Sequence, residues 1–67
     1  MRNLLIVGSR GFIGKHMADY FAAISAYEVY GCDVVTDYAA ANYFQIDVAN
    51  ADYQEIFQQV RFDFCIN

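Results

Sequence analysis

Apolar positions fall in blocks of two kinds along this chain. Leu4 to Val7 is an unbroken apolar run, and residues 3–8 predict a first strand buried on both faces. Ile13, Met17, Phe21 and Ile24 follow at spacings of four, four and three, which predicts a helix over 12–25 with that stripe turned inward. Ala26-Tyr27 is a short return, and Val29, Tyr30 and Cys32 mark a second strand over 28–33. Residues 34–41 carry no clean period and are assigned to a loop or a ragged helical turn. Tyr43 to Ile46 predicts a short third strand. Asp52 and Glu55 have the spacing of a capping box, with Asn50 as the other candidate cap. A second helix from there to about Val60 turns Ile56, Phe57 and Val60 inward, and Phe62 to Ile66 predicts a fourth strand.

Strand, helix, strand, strand, helix, strand is an α/β order, and its short connections favour a parallel sheet. Right-handed crossovers then give the strand order 3-2-1-4, a doubly wound arrangement with the two helices on opposite faces. Strands 1 and 4 flank the switch point, where a ligand crevice opens. Cys32 and Cys65 fall on strands separated by strand 1, about twice the ~4.8 Å strand spacing apart, too far for a disulfide. Both are expected to be buried thiols of a cytoplasmic protein.

Composition narrows the classes. Sixty-seven residues make at most one small domain, yet they include six Tyr and six Phe. That apolar content suits a piece of a larger core better than a free-standing mini-domain. Four basic residues against eight acidic ones argue against a nucleic-acid surface. No run approaches the ~18 apolar residues of a membrane span, and Met1-Arg2-Asn3-Leu4 lacks the apolar core of a signal peptide.

The chemistry gathers between the first strand and the first helix, at Val7-Gly8-Ser9-Arg10-Gly11-Phe12-Ile13-Gly14. Unpaired N–H groups and a partial positive charge at a helix N-terminus suit a phosphate. Gly8 permits the tight turn, Gly11 lets backbone approach a pyrophosphate, and Gly14 lets helix and strand pack closely. The spacing is Gly-x-x-Gly-x-x-Gly rather than the Gly-x-Gly-x-x-Gly of the standard dinucleotide fingerprint. A Walker-type loop is excluded, because position 9 is Ser and His16 stands where Ser or Thr is needed after the Lys. Asp33 lies nineteen positions beyond Gly14, where the fingerprint places an acceptor for the adenosine ribose hydroxyls, with Asp37 as an outside alternative. Ser9 is a turn residue with a hydroxyl near the phosphates. His16 is assigned no role, and the Tyr and Phe side chains are assigned to the core.

Gly8 to His16, with Phe12-Ile13 between the second and third glycines, resembles the cofactor turn of the extended short-chain dehydrogenase/reductases, the NAD-dependent epimerase/dehydratase family. Val7 departs from the Thr common there, a structural position. The resemblance continues through Asp33, Asp47-Val48 and Phe64-Cys65-Ile66-Asn67. It implies a partial Rossmann fold, truncated after the fourth strand by design or proteolysis, with residues 1–67 as the N-terminal part of an NAD(P)-binding domain. It also implies that Asp47 hydrogen-bonds the adenine amino group and that Val48 packs on the ring or lends backbone contacts. Arg10 in the turn pairs with a phosphate, or with the 2′-phosphate of NADP as in some members. Asp33 argues for NAD, since a carboxylate repels that phosphate, and NADP is the alternative.

The expected parent is a nucleotide-sugar epimerase, dehydratase or reductase that transfers hydride to a tightly held nicotinamide. The alternative is a non-catalytic NAD(P)-binding sensor or scaffold of the same fold. No Tyr-x-x-x-Lys pair occurs in these residues, since the only lysine is Lys15 and position 11 is Gly. The 67 residues alone are therefore expected to be inactive. With strand 4 at an edge, the apolar side chains of strands 1 and 4 are expected to be partly bare, and two or more copies to associate.

Overall fold

A computed structural model describes residues 1–37, 39–46 and 53–67. It contains β1 (Arg2–Val7), α1 (Phe12–Ala22), β2 (Tyr27–Asp33), β3 (Tyr43–Gln45), α2 (Tyr53–Gln59) and β4 (Phe64–Ile66). The strands form one parallel sheet in the order β3-β2-β1-β4, as the crossover rule requires.

β1 is continuously apolar from Leu4 to Val7 because that part is covered on both faces. Leu5 and Val7 pair with Tyr30 and Cys32, so these four share a face, and Ile56 of α2 packs onto it against Leu5 and Cys32. Leu4 and Ile6 pair with Val29 and Gly31 on the opposite face, where Phe21 of α1 borders a cavity with Leu4. Leu4, Leu5 and Ile6 are buried, so the expectation that strand 1 leaves apolar side chains bare is wrong. Two neighbouring strands and a helix on each face are enough to cover it.

The inward stripe of the first helix is shorter than its periodicity suggests. α1 ends at Ala22, and the Ile24 N–H bonds to the Phe21 carbonyl at 3.0 Å, a tighter turn that hands the chain to β2. Met17, Phe21 and Ile24 are half-buried, whereas Ile13 is 71% exposed and borders a groove with Ile66 and Asn67. On α2, Ile56 is buried but Phe57 is 48% exposed. Phe57 meets only the edge of the Phe62 ring among the described aromatic contacts. The caps expected at Asn50 and Asp52 lie outside the described residues.

β4 covers three residues rather than five, because residues 61–63 bond to β1 without forming ladder. The Asn3 N–H donates to the Asp63 carboxylate at 2.8 Å, the Asp63 N–H returns to the Asn3 carbonyl at 2.8 Å, and the Asn3 side-chain amide donates to the Arg61 carbonyl. Among the described strands only β1 pairs with β4. Cys65 is consequently exposed, correcting its expected burial, while Cys32 is buried as expected. Burial also pushes the Cys32 thiol pKa up. Phe64 is 45% exposed, and Phe62 and Ile66 are half-buried, as anticipated for an edge strand.

The two neighbouring residues of α2 make opposite predictions. Ile56→Ala should lower unfolding stability by about 2–5 kcal/mol, the range for truncating a buried aliphatic side chain. Phe57→Ala should lower it by less than about 1 kcal/mol. Urea unfolding of both variants checks the pair, and similar losses would put Phe57 in the core.

Candidate functional site

The turn after β1 is built around Gly8, whose φ of 78° lies in the left-handed region that side chains disfavour. The Gly8 and Ser9 N–H groups both donate to the Cys32 carbonyl, at 2.8 and 3.2 Å, so the turn is pinned to the end of β2. The Gly11 N–H donates back to the Gly8 carbonyl at 3.0 Å. Gly11 is the N-cap of α1, and no side chain caps it. The Lys15 N–H takes the Gly11 carbonyl, so the N–H groups of Phe12, Ile13 and Gly14 precede any carbonyl of their own helix. A Cβ on Gly14 would overlap the Gly8 carbonyl, which is why helix and turn can approach so closely.

These residues border a groove of about 470 Å³ between the ends of β1 and β4. Gly8, Gly11, Gly14, Phe12 and Ile13 form one side, and Ile66 and Asn67 contribute from β4. Ile13 and the exposed Phe12 thus border the groove instead of the core. His16 touches the Phe12 ring edge-on, 4.7 Å between centroids, and borders none of the three described clefts.

Asp33 closes β2 beside the turn. One carboxylate oxygen accepts the Arg10 N–H at 2.9 Å and the other accepts the Val34 N–H at 2.7 Å. A carboxylate has about four acceptor sites, so two remain for a ligand hydroxyl.

Arg10 turns away from the glycine groove. Its guanidinium bonds to Asp37 at 2.7 Å and lies over the Tyr43 ring, 4.4 Å from the centroid. The Ala39 N–H, ahead of the Arg10 guanidinium, holds the Asp37 carboxyl below its ordinary pKa. The Tyr43 hydroxyl donates to the Val35 carbonyl, and burial raises its pKa. Arg10, Tyr43 and Val35 border a second cleft of about 530 Å³ on the α1 face of β2.

Ser9 also lies on that side. It is buried, its hydroxyl has no partner among the described residues, and it rests against Gly31 of β2. A Cβ on Gly31 would overlap the Ser9 side chain. The sequence reading missed Gly31, although a glycine inside a strand signals close approach by another backbone. It also missed Tyr43 as a platform for Arg10, because a tyrosine on a strand reads first as core. Asp47 and Val48 lie outside the described residues.

The turn, Asp33 and Arg10 are therefore brought together, with the three glycines on one side and the Asp33 carboxylate on the other. The arrangement fits a dinucleotide. It offers uncapped N–H donors for a pyrophosphate, glycines where side chains would obstruct, and a carboxylate with acceptor sites to spare. No group of three or more metal-ligating side chains stands together among the described residues. No described helix is long and apolar enough to cross a membrane.

Compared with known proteins, the chain matches the family model described as NAD dependent epimerase/dehydratase family over residues 4–67. Searches of curated proteins and of solved structures return no match.

The Ser9–Gly31 contact can be measured. Gly31→Ala should destabilise the fold by about 1–3 kcal/mol, the usual range for overpacking. Adding Ser9→Gly should recover at least half of that loss, because the obstructing side chain is removed. A double-mutant cycle by thermal unfolding checks this, and additive losses would mean that the two residues do not meet.

Proposed function

The chain belongs to the NAD dependent epimerase/dehydratase family, and from that premise we propose that residues 1–67 supply the pyrophosphate and adenosine half of a nicotinamide-dinucleotide site. The observation that carries the proposal is the glycine turn: an uncapped helix start, three glycines and the Asp33 carboxylate converge at the carboxyl ends of β1 and β2. Gly8, Ser9, Arg10, Gly11, Phe12, Ile13 and Gly14 form the turn, and Asp47 and Val48 are assigned to the adenine by the family pattern alone.

Each described residue has a distinct part. The N–H groups of Phe12, Ile13 and Gly14 receive the pyrophosphate at the positive end of the helix. Gly11 leaves the approach clear. Asp33 accepts the ribose hydroxyls while its bond to the Arg10 N–H keeps the turn in register. Phe12 and Ile13 wall the groove and limit water beside the phosphates. When bound, the dinucleotide supplies a nicotinamide that exchanges hydride with substrate. Residues 1–67 hold no Tyr-x-x-x-Lys pair for the accompanying proton transfer.

We assign the protein to nucleotide-sugar epimerisation, dehydration or reduction, with residues 1–67 as the N-terminal part of its cofactor domain and NAD preferred over NADP. The carboxylate of Asp33 beside the turn supports that preference. Association of copies would run along the outer edge of β4, where Phe64 is exposed.

Two substitutions test the site by calorimetry. Gly11→Val should abolish NAD binding with the fold retained, since its side chain enters the pyrophosphate approach. Asp33→Ala should weaken NAD binding by about 1–3 kcal/mol while leaving NADP unchanged or improved. Normal NAD affinity in Gly11→Val would remove the turn from the site, and equal losses for both cofactors would make Asp33 structural.

A further inference from the structure

Asp37 has no part in the site as drawn above, yet it holds the one cation in the glycine turn. We propose that Asp37 is a positioning residue that sets cofactor choice, holding the Arg10 guanidinium so that the site discriminates against a ligand bearing a 2′-phosphate. The inference rests on the dinucleotide reading and extends it to specificity.

Three observations carry it. First, Arg10 is linked to the ribose acceptor through its own backbone, its N–H lying 2.9 Å from the Asp33 carboxylate. No other Lys or Arg is bonded to Asp33 among the described contacts, so Arg10 is the natural partner for a phosphate on the neighbouring ribose oxygen. Second, its guanidinium is already engaged on two sides, by the Asp37 carboxylate at 2.7 Å and by the face of Tyr43 at 4.4 Å. Third, Asp37 is itself fixed, because its other oxygen accepts the N–H groups of Ala39 and Ala40 at 3.1 and 3.2 Å.

An isolated surface ion pair is weak and readily exchanged. This one is different in kind, since the acid is tied to the backbone and the base is braced on a ring. Recruiting Arg10 to a phosphate would mean breaking the pair or sharing it. Sharing would set the Asp37 charge, as well as that of Asp33, against the phosphate. Removing the Asp37 charge should leave the guanidinium on Tyr43 with its full charge and free donors. Asparagine keeps the oxygen that accepts from Ala39 and Ala40, so Asp37→Asn changes charge with little change of shape.

The test measures NAD and NADP binding by calorimetry on the wild-type protein, Asp37→Asn, Asp37→Glu and Asp37→Asn with Arg10→Met. In Asp37→Asn, NADP should bind about tenfold tighter or better, as expected for a charge-assisted phosphate contact, with NAD changed less than about twofold. The gain should shrink with added salt, disappear when Arg10→Met is combined with it, and be absent in Asp37→Glu. Unchanged NADP affinity beside normal NAD binding overturns the inference and leaves the dinucleotide reading intact. A loss of NAD affinity without a gain for NADP overturns it too, making Asp37 a ribose acceptor or a fold element. Thermal unfolding of each variant separates those last two. A wild-type protein that binds neither dinucleotide overturns both readings.

Discussion

A single carbonyl oxygen organises the site. Cys32 accepts the N–H groups of Gly8 and Ser9 together, and through it the end of β1 is tied to the end of β2. Because that acceptor belongs to the buried Cys32, the turn is held in place relative to Asp33, the next residue along. The left-handed backbone at Gly8 follows from the need to leave β1 and reach this oxygen within one residue. The start of α1 is then placed by the Gly11 bond back to Gly8 and by the absence of a side chain at Gly14. Uncapped helix donors, the Asp33 carboxylate beside the turn and a braced arginine are downstream of that geometry.

Much of this was legible in the chain itself. Strand order and the opposite placement of the helices follow from element order and crossover handedness, which depend on pattern alone. The glycine turn was legible because glycine at a strand-to-helix boundary has few other uses. Exposure was harder to read. Ile13 keeps helical phase with Met17 and Phe21, but phase gives a direction around the axis and says nothing about whether the sheet extends beneath that turn. Phe57 and Ile56 are adjacent and similarly apolar, so only the seating of a short helix decides which one is buried. Cys65 has the composition of a core residue and the position of an edge residue.

The partners of Arg10 were the least legible part of the site. A pairing across 27 positions, through a loop without periodicity, leaves no mark on local pattern. Nor does the Ser9–Gly31 contact, where a buried hydroxyl meets a strand that has made room for it. Both are products of tertiary placement, and both sit where the turn faces β2 and β3. That side of the turn carries the charged Arg10, Lys15 and Asp19, whereas the side facing β4 is lined mainly by glycine and apolar groups. One short loop thus presents two unlike surfaces, divided by the backbone of residues 8–11.

The bonds between Asn3 and Asp63 carry a consequence for the order in which the molecule assembles. They join residues 60 positions apart, and a carboxylate side chain stands in for the backbone acceptor that a regular ladder would supply. During synthesis β1 emerges about 60 residues ahead of its partner on this flank. β1 must therefore wait, with one flank unpaired, until β4 has been made. Pairing with β2 precedes it, being local by comparison. The nascent sheet thus grows first toward β3, and the crevice beside β4 acquires its second wall only once β4 has been made.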